Sequence, residues 1–228
     1  MSSVVRAVCF DFDGTLAHFT GDFAALVAGL QGALGLGPRE AEQLILARAQ
    51  AERRGGPMRF ADTVRAALTE LGLPTPEDLE VLAAQVVGDY SAQMALLPGA
   101  TGVLELCRAH GLPLALVTNG PADMQRAAVR AVGLEGYFER LVVSGDAEVG
   151  VRKPHPRIFA RACEVLGAAP DETLMVGDNL EADVRGALSF GMRAVYLGAA
   201  SGPGYDAVPD LRALGSSLKN AFHRSRRF

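Results

Sequence analysis

The sequence predicts an α/β protein: a Rossmann-like parallel sheet with helices on both faces, into which an all-helical segment is inserted. Residues 4–10, VVRAVCF, form an apolar, β-rich run broken only by Arg6. Such a run lacks the strict alternation of a half-exposed strand and suits one buried on both faces. From residue 98 onward, short β-branched runs alternate with helical stretches that stop at glycine, the pattern of βαβ units. Between them, residues 22–94 are rich in Ala, Leu, Glu, Gln and Arg and poor in β-branched pairs. The helical segment therefore interrupts the α/β pattern directly after its first strand. The expected division is residues 1–16 and 95–228 for an α/β core and 17–94 for a helical domain.

Taken in order, four amphipathic helices are expected over residues 22–34, 38–53, 59–71 and 76–94. Gly35-Leu36-Gly37 and Gly55-Gly56-Pro57 break them apart, and Pro38 and Pro76 fall in first turns, where a missing N–H costs little. A helix over 100–110 then leads to a strand over 114–118, and one over 122–132 to a strand over 141–143. Residues 156–166 form a helix before a strand over 173–176, and 180–190 a helix before a strand over 193–197. Consecutive strands joined in this way pair in parallel through right-handed crossovers. Residues 198–209 read as a Gly/Pro/Ala loop and 210–219 as a short last helix.

The chain has 228 residues, 49% hydrophobic and 21% charged, which excludes a disordered protein and allows a substantial core. A net charge of −4 excludes a generally basic nucleic-acid binder. The basic end, with His223, Arg224, Arg226 and Arg227, reads as a solvated terminus. No apolar stretch is long enough for a bilayer, and residues 1–5 lack the pattern of a secretory leader. Cys9, Cys107 and Cys163 lie far apart in apolar segments, without disulfide or zinc spacing. A cytoplasmic protein with no membrane or nucleic-acid partner is expected, as a monomer or homodimer.

Ligands of open parallel sheets lie beyond the carboxyl ends of the strands. The polar groups of this chain gather there. Asp11 and Asp13 follow the first strand, one residue apart and pointing the same way if strand geometry persists. Thr118, Asn119 and Gly120 end the second, ahead of a helix opened by Pro121. Asp178 follows the 173–176 strand, with Asp183 in the next first turn, and Lys153 precedes the 156–166 helix. Each feature alone is an ordinary turn or a solvated charge. Together they are complementary: carboxylates gather a hard cation such as Mg2+, while a hydroxyl, helix-terminal amides and a lysine gather an anion. That pairing is what phosphoryl transfer requires. Asp11 would attack phosphorus, Asp13 would protonate the departing oxygen and then activate water, and Lys153 would offset the charge.

DFDGTL, LVTNG, RKP and GDNLEAD, in that order, resemble the four motifs of the haloacid dehalogenase superfamily. The resemblance spans residues 4–16 and about 98–197, and the helical insertion is similar to that family's C1-type cap, as in its phosphoglycolate phosphatase-like members. It implies Asp11 as nucleophile and magnesium ligand, and Asp13 as acid/base that also binds metal through its carbonyl. It further implies that Thr118, Asn119 and Gly120 hold phosphoryl oxygens, that Lys153 steadies nucleophile and phosphate, that Asp178 ligates magnesium and that Asp183 supports the metal. Members that remove halide carry a bulky aromatic residue where this chain has Asp13, which favours a phosphatase.

The expectation is a magnesium-dependent phosphatase for a small phosphorylated metabolite. The alternatives are a phosphosugar mutase of the same family and a non-catalytic phosphate-binding scaffold. His18, where the chain leaves the core, and the basic, glycine-rich residues 53–59 are placed either at the substrate or in solvent. His155 is given no role.

Overall fold

The computed structural model describes residues 4–225. Residues 1–3 of the stretch read for a leader, and residues 226–228 at the basic end, lie outside them. The chain opens with β1 (Ala7–Phe10) and β2 (Ala17–Phe19), followed by α1 (Phe23–Ala33), α2 (Pro38–Arg54), α3 (Phe60–Glu70) and α4 (Leu79–Ala92). It returns through β3 (Met94–Leu96) to α5 (Ala100–Ala109), β4 (Leu114–Thr118), α6 (Ala122–Ala131) and β5 (Arg140–Val143). After α7 (Pro156–Leu166) come β6 (Thr173–Gly177), α8 (Gly186–Phe190), β7 (Arg193–Leu197), β8 (Tyr205–Val208) and α9 (Leu211–Ser225).

Six strands form one parallel sheet in the order β5-β4-β1-β6-β7-β8. β1 is central, with Cys9 between Ala115 of β4 and Met175 of β6. Its apolar run is explained by what lies on either side. Val8 and Phe10 face a core with Leu104 of α5, Ala128 of α6 and Leu214 of α9. Cys9 faces the opposite core with Ile158 and Phe159 of α7 and Ala187 of α8. Alternate residues thus serve two layers, and both must be apolar.

The helical segment is entered by β2 and left by β3, which pair antiparallel, Ala17 opposite Leu96 and Phe19 opposite Met94. Inside it α2 packs on α3, and α4 packs on α1, α3 and, across to the sheet layer, α6. Among the described residues, no helix is long and apolar enough to cross a membrane.

Several elements differ from the sequence expectation. The β2–β3 ribbon was not expected, because two three-residue strands from opposite ends of the segment have no local signature. β8 lies inside the expected loop; it exists because β7 offers a free edge, and Tyr205 packs edge-on against Tyr196 at 6.2 Å. The expected helix over 180–190 divides into a wide π-helical turn, Leu180–Arg185, and the short α8. α9 runs past residue 219 to Ser225.

Candidate active site

The carboxyl ends of β1, β4 and β6 enclose a cavity of about 210 Å3. Asp11, Asp13, Thr118, Asn119, Lys153, Asp178 and Asp183 all line it, so the sheet brings together groups spread over the chain. Arg152 lines it as well. Gly120 does not: its N–H donates to Ser144 Oγ at 2.9 Å.

Lys153 is the hub. Its ammonium is buried and donates to Asp11 Oδ1 at 2.6 Å and to the Val117 carbonyl at 2.6 Å, with Asp183 Oδ1 at 2.7 Å. Two hydrogen bonds and one ion pair thus converge on the ammonium. Burial alone would depress the Lys153 pKa, but Asp11 and then Asp183 more than reverse it and hold the amine charged. Burial pushes the Asp11 carboxyl above its ordinary range, with Lys153 pulling the other way and Asp183 adding to the rise. The Asn119 side chain fixes the loop: its Oδ1 accepts the Lys153 N–H at 2.8 Å and its Nδ2 donates to the Lys153 carbonyl at 3.2 Å.

Asp13 is held from two sides. The Tyr90 hydroxyl of α4 donates to Oδ1 at 3.1 Å, and Gln125 Nε2 of α6 donates to Oδ2 at 3.0 Å. Gln125 Oε1 in turn accepts from Thr118 Oγ1 at 3.1 Å, which links two expected site residues through one not anticipated. Burial raises the Asp13 pKa, against the lowering effect of Gln125 and Tyr90. A carboxyl poised upward in this way suits a general acid. Gln125 did leave a trace in the sequence, as a polar residue between Met124 and Ala128 on the buried stripe of α6. Tyr90 left none, since it reaches Asp13 across 77 positions.

The third edge carries Asp178 and Asp183. Thr15 Oγ1 donates to Asp178 Oδ1 at 3.0 Å. Asp183 Oδ2 accepts the Asn179 N–H at 3.0 Å, and Asn179 Oδ1 accepts from Glu181 and Ala182 at 3.1 and 2.9 Å. These bonds favour the wide turn, which swings Asp183 back against the end of β6. A Cβ at Gly177 would collide with the Asp183 carboxylate, so the strand must end in glycine. Carboxylate oxygens of Asp11, Asp178 and Asp183 lie within 4.8 Å of one another. Hard oxygen donors this close suit Mg2+, and four carboxylates line the cavity against Lys153 and Arg152.

The helical segment meets this edge through residues 53–59. Gly56 N–H donates to the Gly150 carbonyl at 3.1 Å and Met58 N–H to the Gly145 carbonyl at 2.9 Å. Ala122 N–H donates to the Met58 carbonyl at 2.9 Å, and Phe60 N–H to Asp123 Oδ1 at 2.8 Å. Gly145 sits where three stretches of backbone meet; a Cβ there would lie 2.6 Å from the Met58 oxygen. Arg152 adds an ion pair to Glu52 of α2 at 2.9 Å. The 53–59 stretch therefore docks on the core loops, while His18 is exposed on β2 and does not line the cavity.

The model of the haloacid dehalogenase-like hydrolase family matches residues 5–191. A phosphoserine phosphatase of Thermus thermophilus is 46% identical over 118 residues, 51% of this chain and 47% of that protein. A ribulose-1,5-bisphosphate 5-phosphatase of Halopiger xanaduensis is 32% identical over 203 residues, 84% of each. The chain spans about half the length of the first of these relatives and most of the second. A crystal structure of a phosphatase from Thermococcus onnurineus superposes with a TM-score of 0.69 at 28% identity, covering 94% of this chain and 98% of that one.

The Lys153 hub yields a stability prediction. Lys153→Met leaves the buried Asp11 carboxyl beside Asp183 without the cation that now opposes the effect of burial, so its folded-state pKa rises further above the unfolded one. The penalty is largest above that raised range and shrinks as pH falls toward the ordinary carboxylate range. In metal-free buffer, denaturant unfolding is expected to show a loss of about 3–5 kcal/mol near neutral pH and a smaller loss at about pH 5. An equal loss at both would contradict the arrangement.

Proposed function

The chain belongs to the haloacid dehalogenase-like hydrolase family, and from that premise we propose that it is a magnesium-dependent phosphatase hydrolysing a small phosphorylated metabolite through an aspartyl-phosphate on Asp11. The observation that carries this reading is the buried Lys153 ammonium, 2.6 Å from Asp11 Oδ1 and 2.7 Å from Asp183 Oδ1, with Asp13 lining the same cavity. An Asp11 carboxylate oriented by Lys153 attacks phosphorus, and the bond to the leaving oxygen breaks as Asp13 supplies its proton. Asp13, now a base, takes a proton from water, which attacks the same phosphorus and frees Asp11. Thr118 and Asn119 line the cavity where phosphoryl oxygens would rest. Asp11, Asp178 and the Asp13 carbonyl would hold magnesium, with Asp183 behind them. Bound magnesium would neutralise charge on the phosphoryl oxygens.

We further propose that residues 17–94 act as a cap on a core of 1–16 and 95–228. The antiparallel ribbon at its root, the docked 53–59 stretch and the Tyr90–Asp13 hydrogen bond support that role. A cavity of about 210 Å3 under a cap favours a metabolite over a phosphoprotein. Cys9, Cys107 and Cys163 are buried free thiols, in keeping with a reducing, cytoplasmic setting.

Asp11→Asn is expected to lower phosphate release from p-nitrophenyl phosphate by about a thousandfold or more, with the circular dichroism spectrum unchanged. Parental turnover in that variant removes the nucleophile assignment. EDTA is expected to abolish release and excess Mg2+ to restore it; full activity in EDTA would take the metal out of the reaction.

A further inference from the structure

A second pocket, of about 500 Å3, borders the catalytic cavity, and the proposed chemistry does not use it. It lies between the end of α2 and the loop leading into α7. Arg53, Arg54, Arg152, Lys153 and His155 line it, and no carboxylate does. On a chain of net charge −4, an acid-free basic pocket runs against the overall balance. Arg152 and Lys153 line both cavities, so the two spaces are neighbours across these residues.

The cations there are not all spent. Arg54 pairs with Glu70 at 3.2 Å, in solvent. Arg152 pairs with Glu52 at 2.9 Å, but Glu52 also takes Arg48 at 3.2 Å, so one carboxylate serves two guanidiniums. Arg53 is exposed and has no ion-pair partner among the described residues. A guanidinium carries five N–H donors, and Arg152 can keep Glu52 and still present donors elsewhere. Lys153 is unavailable, since its ammonium is held by Asp11, Asp183 and the Val117 carbonyl.

Resting on the phosphatase reading, we infer that this pocket receives a second anionic group carried by the substrate's leaving group, a carboxylate or a second phosphate. The smaller cavity takes the phosphoryl group and the first atoms beyond it. The remainder of the leaving group passes Arg152 and meets Arg53. Planar guanidiniums match carboxylate or phosphate oxygens in a fork. A leaving group ending in a hydroxyl offers these cations no charge and is discriminated against. The same field draws a doubly charged substrate toward the cavity mouth.

The test uses pairs of esters that differ in the terminal group: 3-phosphoglycerate against glycerol 3-phosphate, and ribulose 1,5-bisphosphate against ribulose 5-phosphate, with p-nitrophenyl phosphate as a generic reference. The parent chain is expected to prefer the charged member of at least one pair by about tenfold or more in kcat/KM. Which pair shows it separates carboxylate from phosphate. Arg53→Gln is expected to reduce that preference at least severalfold, and Arg53→Lys to recover part of it. Arg53 lies at the surface, so neither substitution disturbs the core. Equal kcat/KM within both pairs overturns the inference and leaves the phosphatase reading standing, as does a preference that survives Arg53→Gln undiminished. No phosphate release from any ester, the generic one included, overturns the phosphatase reading and this inference with it.

Discussion

One buried ammonium sets the rest of the structure. Lys153 sits between Asp11 and Asp183 and donates to Asp11 and to the Val117 carbonyl, and neither the ammonium nor the carboxylates are tolerable in the interior without the others. That mutual need dictates what surrounds it. β4 must end so that the Val117 carbonyl faces the cavity, and Asn119 must clamp the lysine's own backbone. β6 must end in a residue without a side chain, because the Asp183 carboxylate occupies the space a Cβ would fill. The wide turn after β6 holds Asp183 at the strand end, where its carboxylate accepts the Asn179 N–H.

The same economy links the helical segment to the chemistry. Asp13, beside the Lys153 cluster, takes one hydrogen bond from Gln125 in the sheet layer and one from Tyr90 in the helical segment. Tyr90 stacks on Phe19 of the ribbon with ring centroids 5.0 Å apart, so the group that touches the proposed acid is braced at the ribbon where the segment departs. Backbone bonds from Gly56 and Met58 close the opposite side over Gly150 and Gly145. A side chain at Gly145 would prevent that closure.

Much of this was legible in the amino-acid sequence. The apolar run of β1 announces a central strand because both of its faces meet helices, and polar residues at strand ends announce a common edge because parallel strands all point one way. The core contributors to the cavity, Asp11, Asp13, Thr118, Lys153, Asp178 and Asp183, were readable on that ground alone. What sequence withholds is whatever depends on a distant neighbour. β8 needs the free edge of β7, and the ribbon needs both ends of the helical segment at once. Gln125 shows only as a polar residue in a buried stripe, and Tyr90 looks like any buried aromatic on α4. Gly120 was expected at the phosphate because it follows Thr118 and Asn119, but its N–H turns to Ser144, a partner 24 residues on.

The central claim is that Asp11, oriented by Lys153, becomes covalently bonded to phosphorus. Rapid acid quench of the chain during turnover of p-nitrophenyl phosphate, followed by peptide mass spectrometry, tests this directly. A phosphoryl adduct on the peptide that contains Asp11, forming and decaying at rates that match phosphate release, is the predicted result. An adduct on another side chain, or a burst of p-nitrophenol with no adduct on the chain, would contradict the account.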